Sequence, residues 1–280
     1  MIALTGATGN IGRHLAQLLA TASIPARLLV RDPAKADTFS GVLAAIAADF
    51  DHPDTFVAAL TGVTAFFLLS PGPNTPTQDA AAIAAAQRAG VRHIVLLSSL
   101  GIEAGGVGGG RPHEPGESVL KNSGLDWTIL RPSEFMSNTL AWLPEIRARG
   151  TISVPTGDGA VALIAPRDIA AVAFAAFTTP NHIGHTYRLT GPELLTTAAI
   201  AVRLSTVLGT PIQHVDVTNA EFLAAAQQAH MPDPLIALFA EYYVALKQGR
   251  MALQTDDVAQ VTGRPATPYL EWARTAILSA

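Results

Sequence analysis

Three apolar residues, Ile2, Ala3 and Leu4, run straight into Thr5-Gly6-Ala7-Thr8-Gly9-Asn10-Ile11-Gly12, and a helical pattern follows over residues 14–22. A strand that feeds a glycine turn and then a helix is the opening that a dinucleotide site requires. Gly6 permits the tight turn, Gly9 lets the backbone approach a pyrophosphate, and Gly12 lets the helix pack closely. The phosphates then lie at the positive helix end beside Thr8, Asn10 and Ile11. The spacing is G-x-x-G-x-x-G, and three glycines alone also describe an ordinary strand-to-helix turn. The position at the start of the chain, with a second strand ending near residue 31, is what makes cofactor binding the expectation.

The second strand, 26–30, delivers Arg31-Asp32-Pro33 about twenty residues beyond the turn, where an acid would bind a ribose 2′-hydroxyl and an arginine a 2′-phosphate. Arg31 comes first, which favours NADP over NAD, with Arg13 and Lys35 as further phosphate contacts. Asp32 either reads the ribose or caps a short segment over 33–36. A third apolar run, 43–48, ends in Asp49 and Phe50, placed to accept from the adenine amine and to pack on its ring. Asp51 is expected to cap the next helix, with Pro53 in its first turn. The fourth strand, 64–69, is broken by Ser70-Pro71-Gly72-Pro73-Asn74. This puts Leu69 and Ser70 at a strand C-terminus, where open α/β sheets bind ligands. A helix over 78–89 and a fifth strand over 93–97, ending at Ser98-Ser99, complete a repeating pattern. It predicts right-handed crossovers and a doubly wound parallel sheet. Residues 101–112, with six glycines, are either a flexible connector or a mobile flap over a ligand.

Composition removes several other classes. The chain has 280 residues, 49% hydrophobic and 14% charged, with no apolar run of membrane-spanning length. It opens directly into a core strand, so no signal peptide is read and a cytoplasmic location is expected. A net charge of −4 without a basic run argues against nucleic acid as partner. The absence of cysteine excludes disulfides, thiolate metal sites and cysteine nucleophiles. Neither H-E-x-x-H nor G-x-S-x-G occurs, so metal-assisted and serine hydrolysis have no support.

The opening T-G-A-T-G-N-I-G, the strand end V-R-D-P, the segment from His113 to Asn138 containing W-T-I-L-R-P and F-M-S-N, the later P-R-D-I-A-A-V-A and Y-R-L-T-G-P-E-L-L-T together resemble the NmrA-like branch of the atypical short-chain dehydrogenases/reductases. The resemblance spans most of the chain. It implies an NADP(H)-binding Rossmann domain, assigned to 1–133 with 159–190, and a smaller α+β substrate region, 134–158 with 191–280, with the active site in the cleft between them. It brings to mind quinone reductases and triphenylmethane-dye reductases, along with non-catalytic dinucleotide sensors. It also implies that Ser98 occupies the superfamily's serine position and that Pro132, ending the strand 126–132, touches the nicotinamide.

One departure is visible by counting. Members of the wider superfamily carry Y-x-x-x-K, yet the first tyrosine here is Tyr187. Matching Glu117 to the family glutamate puts Gly109 at the tyrosine position and His113 at the lysine position. His113 then either hydrogen-bonds ribose or substrate and supplies a proton, or merely pairs with Glu117 one turn on. Beyond Pro132, the residues Phe135, Met136, Asn138 and Trp142 form an apolar, aromatic stretch. Trp127 and Trp142, bracketing one strand end, make either a flat substrate pocket or interdomain core, and Asn138 is placed to orient a carbonyl. Further elements are read at 151–154, 167–177, 187–190, 197–208, 212–217, 220–229, 234–248 and 268–278. Phe239, Tyr242 and Tyr243 lie at core spacing, although Tyr242 or Tyr243 could line the cleft. Two functional classes follow. One is an NADPH-dependent reductase, monomeric or homodimeric, of a planar conjugated small molecule whose delocalised anion needs little help from an acid. The other is an NADP redox sensor acting through a protein partner.

Overall fold

Apolar strands alternating with helices bury both strand faces only when helices cover both sides of a parallel sheet, and the chain adopts that arrangement. The computed structural model describes residues 1–36, 43–72, 74–107 and 109–277. In chain order the first half contains β1 (Ile2–Thr5), α1 (Gly12–Thr21), β2 (Ala26–Val30), β3 (Leu43–Ala47), α2 (Asp54–Leu60), β4 (Ala65–Leu68), α3 (Thr75–Ala89), β5 (His93–Leu97), α4 (Glu114–Lys121) and β6 (Asp126–Pro132). There follow α5 (Leu143–Arg149), β7 (Thr151–Ser153), β8 (Ala160–Val161), α6 (Pro166–Thr178), β9 (His185–Leu189), β10 (Leu195–Thr196), α7 (Thr197–Leu208), β11 (Gln213–Val215), α8 (Asn219–Gln228), α9 (Asp233–Lys247), α10 (Asp257–Thr262) and α11 (Tyr269–Ala276).

Seven strands form one parallel sheet in the order β3-β2-β1-β4-β5-β6-β9. Period-two alternation sorts its side chains. Leu4, Leu28, Phe67, Val95 and Leu130 pack with α1 and α6 on one face, while Ala3, Leu29, Phe66, Ile94 and Ile129 pack with α2, α3 and α4 on the other. A third core gathers Met136, Ile152, Leu204, Tyr243 and Trp272 from the later elements. Short ladders support it: β7 runs parallel to β11, and β8 antiparallel to β10.

Several local expectations change. The sequence reading missed α5, α10 and the β8–β10 ladder, because six- or seven-residue helices and two-residue strands are too short to show a period. Asp51 does not cap α2. The helix begins at Asp54 after Pro53, and the Thr55 hydroxyl, bonded to the His52 carbonyl at 2.7 Å, organises the turn instead. Trp127 is the second residue of β6, at the end away from Pro132, with Lys121 Nζ 5.4 Å from its ring centroid. The two tryptophans therefore do not share a strand end. The glycine-rich segment 101–112 is neither a free connector nor an open flap over its described residues. Ala104 and Val107 are buried in the third core, and a Cβ on Gly101 would stand 2.1 Å from the Val107 carbonyl oxygen. The glycines let the segment fold tightly on itself.

One buried acid interrupts the layer between α3 and α4. Asp79 is 1% exposed, its Oδ1 accepts from the Ser70 hydroxyl at 2.5 Å, and its Oδ2 has no partner among the described residues. Gly116 of α4 covers it so closely that a Cβ there would lie 2.2 Å from Oδ2. Burial raises its carboxyl to about 7 against the opposing effect of the Ser70 hydrogen bond. A carboxyl that titrates near 7 when folded and near 3.9 when unfolded binds a proton on folding in that interval. It therefore favours the fold at low pH, and that contribution is lost as pH rises to 7. We expect Asp79→Asn to exceed wild type by about 2 to 4 kcal/mol at pH 8, with the gap closing toward pH 4. Denaturant unfolding at both pH values measures it, and a gap independent of pH would show that Asp79 does not carry the effect.

Candidate functional site

The strand order reverses between β1 and β4, and the crevice beyond their C-terminal ends is where a doubly wound sheet receives a ligand. The turn out of β1 is built for close approach. Gly6 has φ +65°, and a Cβ on Gly12 would fall 2.1 Å from the Gly6 carbonyl oxygen, so the first turn of α1 lies directly against the glycine turn. No side chain caps α1, and the N–H groups of Asn10 and Ile11 find no acceptor among the described residues. They are free donors at the positive end of a helix dipole, the chemistry that a pyrophosphate needs.

A cleft of about 590 Å³ runs from this turn. It brings together Gly6, Thr8, Gly9, Asn10 and Ile11 with Arg31, Asp49, Phe50, Leu69 and Phe135. Arg31 stands at the end of β2 with no carboxylate partner among the described residues, while Asp32, which lines a hollow there with Thr8, Val30 and Arg31, accepts from the Ala34 N–H at 3.1 Å. Asp32 therefore takes the capping alternative. Asp49 Oδ1 accepts from the Asp51 N–H at 3.1 Å, and Phe50 packs on Phe56 with ring centroids 4.9 Å apart, so both side chains of this cleft edge are tied to their neighbours. Leu69 is locked to β1 by the Thr5 hydroxyl, which accepts from its N–H at 2.8 Å. Ser70 does not join the lining, because its hydroxyl is committed to Asp79. The side chain of Lys35 lies outside the described residues, and Arg13 is exposed beyond the cleft lining.

Phe135 also lines a second cavity of about 250 Å³. Its walls come from Ser98, Ser99 and Gly101 after β5, from Pro132 to Phe135 and Asn138 after β6, from Leu238, Phe239 and Tyr242 of α9, and from Met251. Two expected members are absent. Met136 is 1% exposed inside the third core and Trp142 packs against that same core, because the 3₁₀ turns of Met136–Trp142 send every third side chain, Met136, Thr139 and Trp142, inward. The α9 contribution is the main residue set that the sequence underweighted. Its signal was the Tyr242 position, but core and cavity lining share one helical spacing.

Ser98 lines the cavity with its proton already engaged. Its hydroxyl donates to Glu117 Oε1 at 2.5 Å, and the guanidinium of Arg131 grips the same carboxylate through Nε at 2.8 Å and Nη2 at 2.7 Å. Burial alone would raise the Glu117 carboxyl, but the hydrogen bonds from Arg131 and Ser98 with the charges of Arg131 and Lys121 overcome it and hold the carboxyl below its ordinary value. Glu117 thus forms its ion pairs with Arg131 and Lys121, and toward His113 it exerts a charge without a hydrogen bond. His113 occupies the N-cap position of α4, where burial lowers its imidazole and keeps it neutral. Its ring has no hydrogen-bond partner among the described residues and does not line either cavity. The reading of His113 as a proton donor therefore loses its geometric support, and Ser98, at the superfamily serine position, meets the cavity with its hydroxyl proton given to Glu117.

The arrangement has counterparts in known proteins. Residues 6–180 match a family model described as NAD(P)H-binding. The (4-alkanoyl-5-oxo-2,5-dihydrofuran-3-yl)methyl phosphate reductase of Streptomyces griseus is 37% identical over 98% of this chain and 96% of its own length. The NAD(P)H azoreductase of Xenophilus azovorans is 38% identical over 98% of this chain and 97% of its own. The crystal structure of an NADPH-dependent quinone oxidoreductase from Escherichia coli, complexed with NADPH, superposes with a TM-score of 0.90 at 28% identity, covering 99% of this chain and 100% of that one. Among the described residues no helix is long and apolar enough to cross a membrane, and no cluster suited to a metal ion occurs.

Two substitutions test this geometry. A charge-assisted contact to phosphate is worth about 1.5 to 3 kcal/mol, so Arg31→Ala should weaken NADPH by about tenfold or more and leave NADH nearly unchanged. Fluorescence titration with both cofactors reads the difference, and equal losses would remove Arg31 from phosphate recognition. Arg131→Met leaves the Glu117 carboxylate buried without its cation and should cost about 3 to 5 kcal/mol at pH 7.5. Because that pairing stabilises the fold above the unfolded carboxyl's titration, about 4.3, and is lost as pH falls through the lower folded one, the loss should shrink at about pH 3. A loss of equal size at both pH values in denaturant unfolding would speak for packing instead.

Proposed function

Because the chain belongs to the NAD(P)H-binding, NmrA-like branch of the atypical short-chain dehydrogenases/reductases, we propose that it is an NADPH-dependent reductase of planar conjugated acceptors such as quinones, azo compounds or enones. The observation that carries the reading is Phe135, which lines both the 590 Å³ cleft and the 250 Å³ cavity. A dinucleotide extended along the first would end beside the second. Gly6, Thr8, Gly9, Asn10 and Ile11 would hold the pyrophosphate, Arg31 the 2′-phosphate, and Asp49 with Phe50 the adenine. Residues 1–133 with 159–190 would form the cofactor part, and 134–158 with 191–280 most of the acceptor part.

When bound, the nicotinamide supplies a hydride. The protein's share begins with placement, for which the cavity offers the flat faces of Phe135 and Phe239 and the compact edge of Pro132. Orientation against a fixed partner can remove about 7 to 11 kcal/mol of barrier in favourable cases. Asn138, an amide at the rim of the apolar cavity, fits a carbonyl or azo nitrogen.

NADPH consumption across quinones, enones and azo dyes tests the reading. Turnover with members of that panel is expected, whereas tight NADPH binding with no consumption of any acceptor would favour a redox sensor. His113→Ala should lower single-turnover NADPH oxidation by less than about 10²-fold, the lower limit of what a general acid contributes. A collapse by several orders of magnitude at unchanged NADPH affinity would restore His113 as the acid.

A further inference from the structure

The acceptor cavity contains an acid that the sequence did not single out. Glu134 follows Pro132 and Ser133 at the end of β6 and lines the cavity, and its Oε2 accepts a hydrogen bond from the Tyr242 hydroxyl on α9, 108 residues away in sequence. Asn138 lends the carboxyl a further hydrogen bond. The other hydroxyls of this cavity are differently disposed. Ser98 donates to Glu117, Ser133 donates to the Ala162 carbonyl, and Ser99 accepts from the Gly101 N–H at 3.1 Å. Glu134 is the one carboxylic acid among the described residues that line this cavity. An acid in an apolar cavity, with no cation to pair it, is costly as a structural element and well suited to hold a proton.

We propose that Glu134 is the proton donor that completes acceptor reduction, and that Tyr242 positions its carboxyl. The proposal rests on the reductase reading above. Reduction of a quinone, enone or azo group by two electrons requires one hydride and one proton. As the hydride reaches the electrophilic atom of the acceptor, negative charge develops on its conjugated oxygen or nitrogen. That atom takes the proton from Oε1 of Glu134, the oxygen that Tyr242 does not engage. The O–H bond breaks, the carboxylate remains with its electron pair, and a proton from water restores the acid. One NADPH is oxidised, one acceptor is reduced, and one solvent proton is consumed.

The surroundings favour the protonated form of the carboxyl over the ordinary carboxylate. Burial raises it, against the opposing hydrogen bonds of Tyr242 and Asn138. The titratable groups facing it are the phenols of Tyr242 and Tyr243, both pushed upward first by burial and then by the charge of Glu134, so both stay neutral. No lysine or arginine forms an ion pair with Glu134 among the described residues. Tyr242, whose own proton is held tightly, is therefore a positioning residue.

The test uses the full chain with NADPH and 1,4-naphthoquinone under anaerobic single-turnover conditions from pH 5 to 9, comparing wild type, Glu134→Gln and Tyr242→Phe. In wild type the rate of NADPH oxidation should fall on the alkaline side as the carboxyl ionises. Glu134→Gln should lose about 10²-fold in rate together with that falling limb, while its NADPH affinity stays the same. Tyr242→Phe removes a bond that favours the carboxylate, so its limb should move to higher pH. Infrared difference spectra of the protein without acceptor give an independent readout. Wild type minus Glu134→Gln should show a protonated-carboxyl band at pH 7, with Asp79 cancelling between the two. A Glu134→Gln rate and pH profile equal to wild type, or no such band, would overturn the proposal. If Glu134→Gln does not fold, an unmoved limb in Tyr242→Phe overturns it as well. A wild type that binds NADPH but reduces no acceptor would defeat the reductase reading and this proposal together, whereas normal wild-type turnover with an indifferent Glu134 would defeat this proposal alone.

Discussion

The contact between Gly12 and Gly6 governs the geometry of the dinucleotide cleft. With a Cβ on Gly12 falling 2.1 Å from the Gly6 carbonyl oxygen, no other residue fits there without separating helix from turn. The contact draws the start of α1 onto the end of β1 and leaves the N–H groups of Asn10 and Ile11 pointing into the crevice. Since β1 is flanked by β2 and β4 at the reversal of strand order, the same contact decides where the cleft runs and which strand ends meet it. Arg31, Asp49 and Leu69 reach the cleft because β2, β3 and β4 pair in parallel register around that point.

A second constraint holds the other end of the site. Glu117, from α4, is bonded at once by Ser98 beyond β5 and by Arg131 within β6, and Arg131 reaches on to Glu103 at 3.0 Å. One ionic knot thus ties the end of β5, the glycine-rich segment, α4 and β6 together. The cost of desolvating Glu117 is offset because its oxygens meet four donors: Arg131 Nε and Nη2, Ser98 and Lys121. Asp79, on the neighbouring helix α3, has no cation partner among the described residues, so its burial is tolerated through protonation. Two buried acids in adjacent helices meet the same physical difficulty in opposite ways.

The 250 Å³ cavity inherits its character from this scaffold. Residues from β6 carry the near wall, and α9, packed by its other face into the third core, carries the far wall. Rigid aromatic surfaces suit a flat acceptor because little conformational freedom is lost when it is held against them. At the position of the missing superfamily tyrosine, Gly109 has φ +87°, a backbone conformation that a tyrosine adopts only with strain.

The dinucleotide half of the protein was legible in the sequence because its determinants are local. The strands at 26–30, 93–97 and 126–132, the glycine turn and the order of parallel units follow from period and spacing, and Arg31 follows from distance along the chain. Family resemblance extended this to the cofactor class. What the sequence could not decide was partnership among residues far apart. Glu117 is four residues from His113, yet it is gripped by Arg131; Ser70 stands at a ligand-facing strand end, yet its hydroxyl turns to Asp79; Trp142 follows Phe135 by seven residues in one apolar stretch, yet of the two only Phe135 reaches the cavity. The meeting of Glu134 with Tyr242 across 108 residues belongs to the same class. A helical repeat states which residues share a face, but whether that face meets core or cavity depends on what other elements bring against it, and that is set only when the tertiary structure closes.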